Sequence, residues 1–230
     1  MTAIALGDSH LIDTWDRAAA LARPWRELAL LESASEIPVD ELARLTIGER
    51  DRLLLALRIG TFGSRLECET RCPTCDTRLE LAFDAAQLLT PAVKVDDADL
   101  EIVEDDWKVR FRLPDSYDVA AALAGEDLAE RLTIGGTIAV PNVARQRVAA
   151  RVAELDPQAD ISLDLRCAVC DHRWQAHFDP AAFLFREIEA AVVRLTNEVH
   201  QLARAYAWSE ESILAMGATR RRRYLGLVAQ

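Results

Sequence analysis

The chain has 230 residues, half of them hydrophobic, and a formal net charge of −11. This composition is ordinary for a globular protein with room for one large or two small domains. The acidic balance argues against a protein that coats nucleic-acid phosphates, because that affinity comes from lysine and arginine.

The first predicted elements are helices. Apolar residues at helical spacing predict a helix over residues 10–34 that is broken near Pro24. The next helix is expected in "TIGERDRLLLALRIGTFG", where Thr46 and Glu49 form a capping box at its start. These helices define a predicted N-terminal helical region, residues 1–62.

A cysteine motif then occurs twice. "RCPTCDTRLELAFD" and "RCAVCDHRWQAHFD" align without a gap at an offset of 95 residues. In both copies a strand of alternating polar and apolar residues follows the CxxC, and an aspartate suited to cap a helix, Asp84 or Asp179, follows the strand. The repeat therefore predicts a unit of strand, CxxC turn, strand and helix that is present in two copies.

The four cysteines of the repeat are the predicted metal ligands: Cys72, Cys75, Cys167 and Cys170. Zinc takes four thiolates in a tetrahedron, and each CxxC turn can supply two of them. The chain has five cysteines and shows neither a secretory leader nor an apolar stretch long enough to span a membrane, so a disulfide framework is not expected. We expect one structural zinc per chain, with no coordination position left for water or substrate.

Two other interpretations of the cysteines stay open. The CxxC turns could remain separate half-sites, or they could be redox motifs, although neither begins a helix, where the pKa of a thiol is usually lowered. His172 and His177 could replace a cysteine, but we expect them outside the ligand shell. Cys68, on the strand before the first motif, is expected to be a buried or half-buried small residue.

The segment between the two motifs predicts a hairpin and helices. "LEIVEDDWKVRFRLP" indicates a β-hairpin that turns at residues 104–106, and two short helices and a longer one ending near Leu155 follow. The acidic stretch of residues 95–106 is expected to be a solvated loop and strand edge. It lacks the glycine and the terminal glutamate of a calcium-binding loop.

A long amphipathic helix is predicted from Pro180 to Tyr206, and short helices capped by Ser209 and Thr219 follow it. Tyr206, Trp208 and Tyr224 are candidate partner contacts, because large aromatic residues are enriched at binding hot spots. The alternative is that these three side chains fill the core.

The C-terminal helices also allow a DNA-binding interpretation. Two helices joined by a short turn resemble a helix-turn-helix, but the second helix would begin with Glu210 and Glu211, which repel phosphate. A packed helical hairpin is therefore expected. The basic block Arg220–Arg223 is expected to be a solvated helix end.

Taken together, these elements predict an α+β fold that is mostly helical. Two pseudo-repeated zinc-knuckle β-hairpins are expected to come together in a zinc-ribbon-like unit, beside a central β-hairpin and a long C-terminal helix. The predicted regions are an N-terminal helical region (1–62), a region (63–179) of two zinc-ribbon-like halves (63–84 and 160–179) with an insertion (85–159), and a C-terminal helical region (180–230).

Several segments together resemble the T4-type phage baseplate (hub assembly) protein family, which occurs in phage tails and in extracellular contractile injection systems. The resemblance runs from about Leu11 to Val228, and "FRLPDSYD" and "HQLARAYAWSEESIL" are its most specific parts. One departure is Ala207, where the family pattern has glycine. The turn before Trp208 is therefore expected to be less left-handed than in relatives.

The resemblance implies a structural or assembly role, with the baseplate and hub proteins of a contractile tail-like particle as partners. It implies no enzymatic activity, no nucleic-acid partner and no membrane span. The protein would lie in the cytoplasm during assembly, or in the finished phage or injection particle. The residues themselves show no catalytic triad, phosphate-binding glycine loop or HExxH motif. The alternatives are a zinc-ribbon nucleic-acid-binding or transcription-related adaptor and a metal or thiol enzyme.

Overall fold

The computed structural model describes residues 5–91, 93–104, 107–136 and 142–228. The helices in these ranges are α1 (Asp8–Ala19), α2 (Trp25–Ala34), α3 (Val39–Ala43), α4 (Ile47–Phe62), α5 (Ser116–Leu123), α6 (Leu128–Leu132), α7 (Asn142–Leu155), α8 (Pro180–Tyr206), α9 (Glu210–Leu214) and α10 (Ala218–Val228). The strands are β1 (Arg65–Arg71), β2 (Arg78–Asp84), β3 (Glu101–Glu104), β4 (Trp107–Phe111), β5 (Thr133–Gly136), β6 (Ile161–Arg166) and β7 (Arg173–Phe178). The mixture of helices with small sheets confirms the predicted fold class at that level.

Helix α4 begins where the sequence predicts. The hydroxyl of Thr46 accepts a hydrogen bond from the backbone of Glu49, and the Glu49 carboxylate accepts one from the backbone of Thr46. The backbone N–H of Gly48, in the first turn, donates to the carboxylate of Asp156 at 2.8 Å. A Cβ atom at residue 48 would lie 1.7 Å from that carboxylate, so only glycine allows this approach. The contact fixes the start of α4 to the segment that leads into β6.

The largest hydrophobic core is shared by helices from both ends of the chain. It includes Leu28 and Leu31 of α2, Leu54 of α4, and Leu184 and Ile188 of α8, all almost fully buried. Helix α8 has 27 residues and contributes one continuous buried stripe, as its amphipathic pattern predicts. Among the described residues, no helix is both long and apolar enough to cross a bilayer. The division into three regions stays a prediction.

The strands form three separate antiparallel sheets: β1–β2, β3–β4–β5 and β6–β7. The predicted central hairpin is confirmed as β3–β4, and β5 adds a third strand that the sequence analysis did not anticipate. Val109 and Phe111 of β4 are buried against α7 through Ala144 and Val148. Part of the predicted turn, residues 105–106, lies outside the described residues.

Two local predictions about helix ends are wrong. The helix expected after Asp84 is a single 3₁₀ turn, Ala85–Leu88. Helix α10 starts at Ala218, so Thr219 lies inside it and does not cap it. The turn after α8 is fully left-handed, because Ala207 has φ 56° and ψ 29°. Alanine adopts this conformation at a cost of about 1 kcal/mol, and the packing around the turn outweighs that cost.

Candidate metal centre

The two CxxC motifs form the turns of the hairpins β1–β2 and β6–β7, and both turns are closed in the same way. In the first, the backbone N–H of Cys72 donates to the carbonyl of Thr77 at 3.0 Å. In the second, the N–H of Cys167 donates to the carbonyl of His172 at 2.9 Å. The sequence repeat is therefore a structural repeat, as predicted.

An aspartate follows each motif in a left-handed conformation. Asp76 has φ 56° and Asp171 has φ 64°, which lets the chain reverse within the turn, and aspartate tolerates this region better than most residues. The aspartates also form ion pairs with the arginines that precede the motifs, Arg71 at 3.0 Å and Arg166 at 2.6 Å. These pairs explain why arginine and aspartate recur in both copies.

The turns of the two hairpins meet, and their four cysteine sulfurs lie within 4.8 Å of one another. The Sγ atoms of Cys72 and Cys170 are 3.6 Å apart, and those of Cys75 and Cys167 are 3.7 Å apart. A tetrahedral zinc with Zn–S bonds of about 2.3 Å has sulfurs about 3.8 Å apart. A disulfide would need about 2.05 Å, and none is formed by these cysteines. The four cysteines could therefore hold one metal ion.

The first cysteine of each motif is buried, and the second is exposed. Hydrogen bonds from the hydroxyl and the backbone of Thr77 lower the pKa of the Cys75 thiol to about 6. The backbone of His172 favours the Cys170 thiolate, but desolvation and the neighbouring thiols outweigh it and raise the pKa of Cys170 to about 12. Thiolates this close repel one another, so all four can be ionised together only around a cation.

The residues considered as substitute ligands lie outside the cluster. His172 stacks on Trp174 with ring centroids 5.8 Å apart, and His177 contacts Asp160 through Nδ1 at 2.9 Å. Cys68 is half-buried, as predicted, and desolvation raises the pKa of its thiol. It packs at the base of the hairpins with the core around Leu66 and Phe178.

The hairpin bases are held against α4 and α8. Arg58 of α4 is almost fully buried, and its guanidinium donates to Glu187 of α8 at 2.8 and 2.9 Å and to the carbonyls of Gly63 and Arg65. It therefore joins the two helices to the entry of β1. The sequence analysis missed this residue, because an arginine in a helical pattern carries no sign of being buried.

The three aromatic residues predicted as a partner contact come together at the C-terminal end of α8. Tyr206 stacks on Trp208 with ring centroids 4.5 Å apart, and Tyr224 of α10 meets Trp208 edge-on at 4.9 Å. All three are half-buried and belong to none of the hydrophobic cores of the described residues. The left-handed turn at Ala207 is what returns Trp208 towards Tyr206.

The basic block near the C-terminus is only partly solvated, which corrects the expectation from sequence. Arg221 is 1% exposed. Its guanidinium donates to Glu198 of α8 at 2.8 Å, to Asp8 of α1 and to the carbonyl of Met216. Arg221 thus fixes α10 to α8 and α1. Nothing in the sequence distinguishes it from the three neighbouring arginines.

Comparison with known protein families gives a match for part of the chain. Residues 29–135 match the model of the family described as T4 bacteriophage base plate protein. This confirms the resemblance for that range, which contains the first cysteine motif and ends before the second. No curated protein and no solved structure matches the chain.

Proposed function

We propose that this chain, whose residues 29–135 match the T4 bacteriophage base plate protein family, is a structural or assembly component of a contractile tail-like particle. The family match is the observation that carries this proposal. The candidate metal centre is consistent with it, because four thiolate ligands around one ion leave no position for a substrate. The role proposed is therefore one of protein contacts and not of catalysis.

The metal we propose is zinc, one per chain, held by Cys72, Cys75, Cys167 and Cys170. An all-thiolate set favours zinc or an iron–sulfur cluster over hard cations, and the separations between the sulfurs fit a single tetrahedral ion. When bound, the ion would join the two hairpins in a zinc-ribbon-like unit. Its contribution would be to folding, because an unfolded chain cannot bring ligands so far apart in sequence together.

The proposed partners are other baseplate and hub proteins, contacted through Tyr206, Trp208 and Tyr224. Aromatic side chains that stay half-exposed on a rigid helical frame are typical anchors of protein interfaces. The protein would act in the cytoplasm of the producing cell and then either remain in the particle or leave it. No observation favours the alternative of a nucleic-acid adaptor.

The baseplate role is tested by deleting the gene and examining particles by electron microscopy and mass spectrometry. We expect assembly to fail or to stop before a complete baseplate forms, and the wild-type gene to restore it. Complementation with Trp208→Ala should restore assembly poorly, and Trp174→Ala, on the second hairpin, serves as a matched control. Normal particles from the deletion strain would contradict the baseplate role.

The metal is tested separately by elemental analysis of the purified chain. We expect about one zinc per chain and none in a Cys72→Ser/Cys167→Ser variant. Iron in place of zinc, or less than half an equivalent of any metal in freshly prepared protein, would contradict the zinc assignment.

A further inference from the structure

Helix α10 presents two different faces. Arg221 points into the body, with Leu225 one turn later on the same side. Arg220, Arg223, Tyr224 and Leu227 follow the spacing i, i+3, i+4 and i+7, which places them together on one strip of the helix. We call these four residues the α10 surface. Three of the four are exposed and Tyr224 is half-buried at the border, so the strip faces away from the core.

Three of the four arginines in the basic block have no ion pair within the described part of the chain. Arg220, Arg222 and Arg223 are exposed, and the ion pairs of the described residues include none of them. Residues 200–228 contain five arginines, of which Arg221 is ion-paired with Asp8 and Glu198, and two glutamates, whereas the whole chain has a net charge of −11. The C-terminal end is therefore a basic patch on an acidic protein, and its charge is available to a partner.

Apolar side chains lie directly beside these arginines. Leu227 is 60% exposed, and the guanidinium of Arg220 lies 5.9 Å from the centre of the Tyr224 ring. Tyr224 also contacts Trp208 and Tyr206, so the strip continues into the aromatic cluster. A surface of arginine and aromatic residues can bind both charge and apolar area.

The surface is also rigid. The buried guanidinium of Arg221 ties α10 to Glu198 of α8 and to Asp8 of α1, so a partner would meet a preformed helix. Preorganisation lowers the entropy that binding must overcome.

We infer that the α10 surface binds an acidic helical segment of another protein. Glutamate or aspartate side chains of that segment would pair with Arg220 and Arg223, and an apolar side chain between them would pack on Tyr224 and Leu227. The complementary charge argues for this occupant, and the helical spacing of the surface fits a helix laid along it. The inference rests on the proposed function only in requiring a protein partner.

Nucleic acid is the less suitable ligand. The chain has a net negative charge, so it would repel a phosphate backbone everywhere except at the few exposed arginines. Glu210 and Glu211 of α9, which follow Trp208 in the sequence, are exposed and add to this repulsion. A protein segment, in contrast, can carry acidic side chains at the positions that face the arginines and uncharged side chains elsewhere.

The experiment uses the full chain and a displayed library of amphipathic helical peptides with randomised positions on one face. Peptides are selected on the wild-type chain and tested on Arg220→Glu/Arg223→Glu. The control variant is Arg44→Glu/Arg110→Glu, which changes the net charge equally at two exposed arginines elsewhere. We expect selected peptides to carry Asp or Glu flanking Leu, Ile or Phe, with affinity reduced about tenfold or more by the first variant and little by the control.

Binding of the selected peptides should weaken as salt is added, because it depends on exposed charges. The inference would be overturned if no peptides are enriched, or if the enriched peptides are basic or neutral. It would also be overturned if both variants lose affinity equally, or if a short DNA duplex binds more tightly than any peptide. Such a result would leave the baseplate role intact if the deletion strain still fails to assemble particles. If the peptides bind but the deletion strain makes normal particles, the inference about the α10 surface would stand and the baseplate role would be contradicted.

Discussion

The two cysteine hairpins begin alike and continue differently. Both turn through the same backbone hydrogen bonds, and both end at an aspartate that accepts a hydrogen bond from the residues after it. After Asp84 the chain forms one 3₁₀ turn, whereas after Asp179 it forms the 27-residue helix α8. Pro180 at the first helical position and a long apolar stripe distinguish the second copy. A repeated motif thus fixes the turn but not the element that follows it.

The copies also differ in how deeply they are anchored. Phe178 of the second hairpin is 7% exposed, whereas Phe83, its counterpart in the first, is half-exposed. The two rings meet edge-on with centroids 6.2 Å apart. Asp179 pairs with Arg23 at 2.9 Å, whereas Asp84 is exposed. At these two matched positions the second hairpin is therefore more deeply buried than the first.

The largest expected loss of stability follows from substituting a ligand cysteine, and it should be the same for either hairpin. Cys72→Ser and Cys167→Ser should each leave the chain insoluble or without cooperative unfolding, because a structural zinc contributes on the order of 10 kcal/mol to folding. Cys68→Ser is the matched control and should lower the melting temperature by only a few degrees. Circular dichroism on heating measures this. If one cysteine variant unfolds and the other keeps its melting temperature, the hairpins do not share a centre.

A smaller effect should differ between the hairpins. Phe178→Ala should lower the free energy of unfolding by about 3 kcal/mol or more, because it leaves a cavity in a buried core. Phe83→Ala should cost roughly half as much, since its ring is already partly solvated. Urea denaturation of the two variants gives the comparison. Equal losses would show that the first hairpin is as deeply anchored as the second.

The smallest effect concerns the two capping aspartates. Asp179→Ala should lower the free energy of unfolding by about 1–2 kcal/mol, and Asp84→Ala, which caps one turn, by a few tenths. Burial alone would raise the pKa of Asp179, but the backbone N–H of Ala182 and the charge of Arg23 hold that pKa below its ordinary value.

The pH dependence of the Asp179 contribution follows from that lowered pKa. The contribution is fully present well above pH 4, where the residue is ionised even in the unfolded chain, and is lost as the pH falls through the folded pKa. The difference in stability between wild type and Asp179→Ala should therefore shrink as the pH falls below about 5, measured by urea titration at each pH. If the difference in the free energy of unfolding stays constant over that range, the charge of Asp179 contributes nothing to stability.

The parts predictable from sequence are those set by neighbours along the chain. The capping box of Thr46, the cap at Asp179 and the alternation of the strands are local signals, and all are confirmed. The meeting of the cysteines was predictable because the repeat supplies two half-sets of ligands and a metal needs both. The buried roles of Arg58 and Arg221 were not predictable, since they depend on which carboxylates and carbonyls the fold brings to them.

The distance along the chain between the two CxxC turns has a consequence for biosynthesis. Cys75 and Cys167 are 92 residues apart, so the ribosome must make the central sheet and α7 before the second pair of sulfurs exists. A nascent chain can hold an ion only weakly, through one pair, until the second hairpin has been made. Ligands this distant also raise the contact order, which slows folding. Full occupancy of such a centre would thus report that both hairpins have been made and have met.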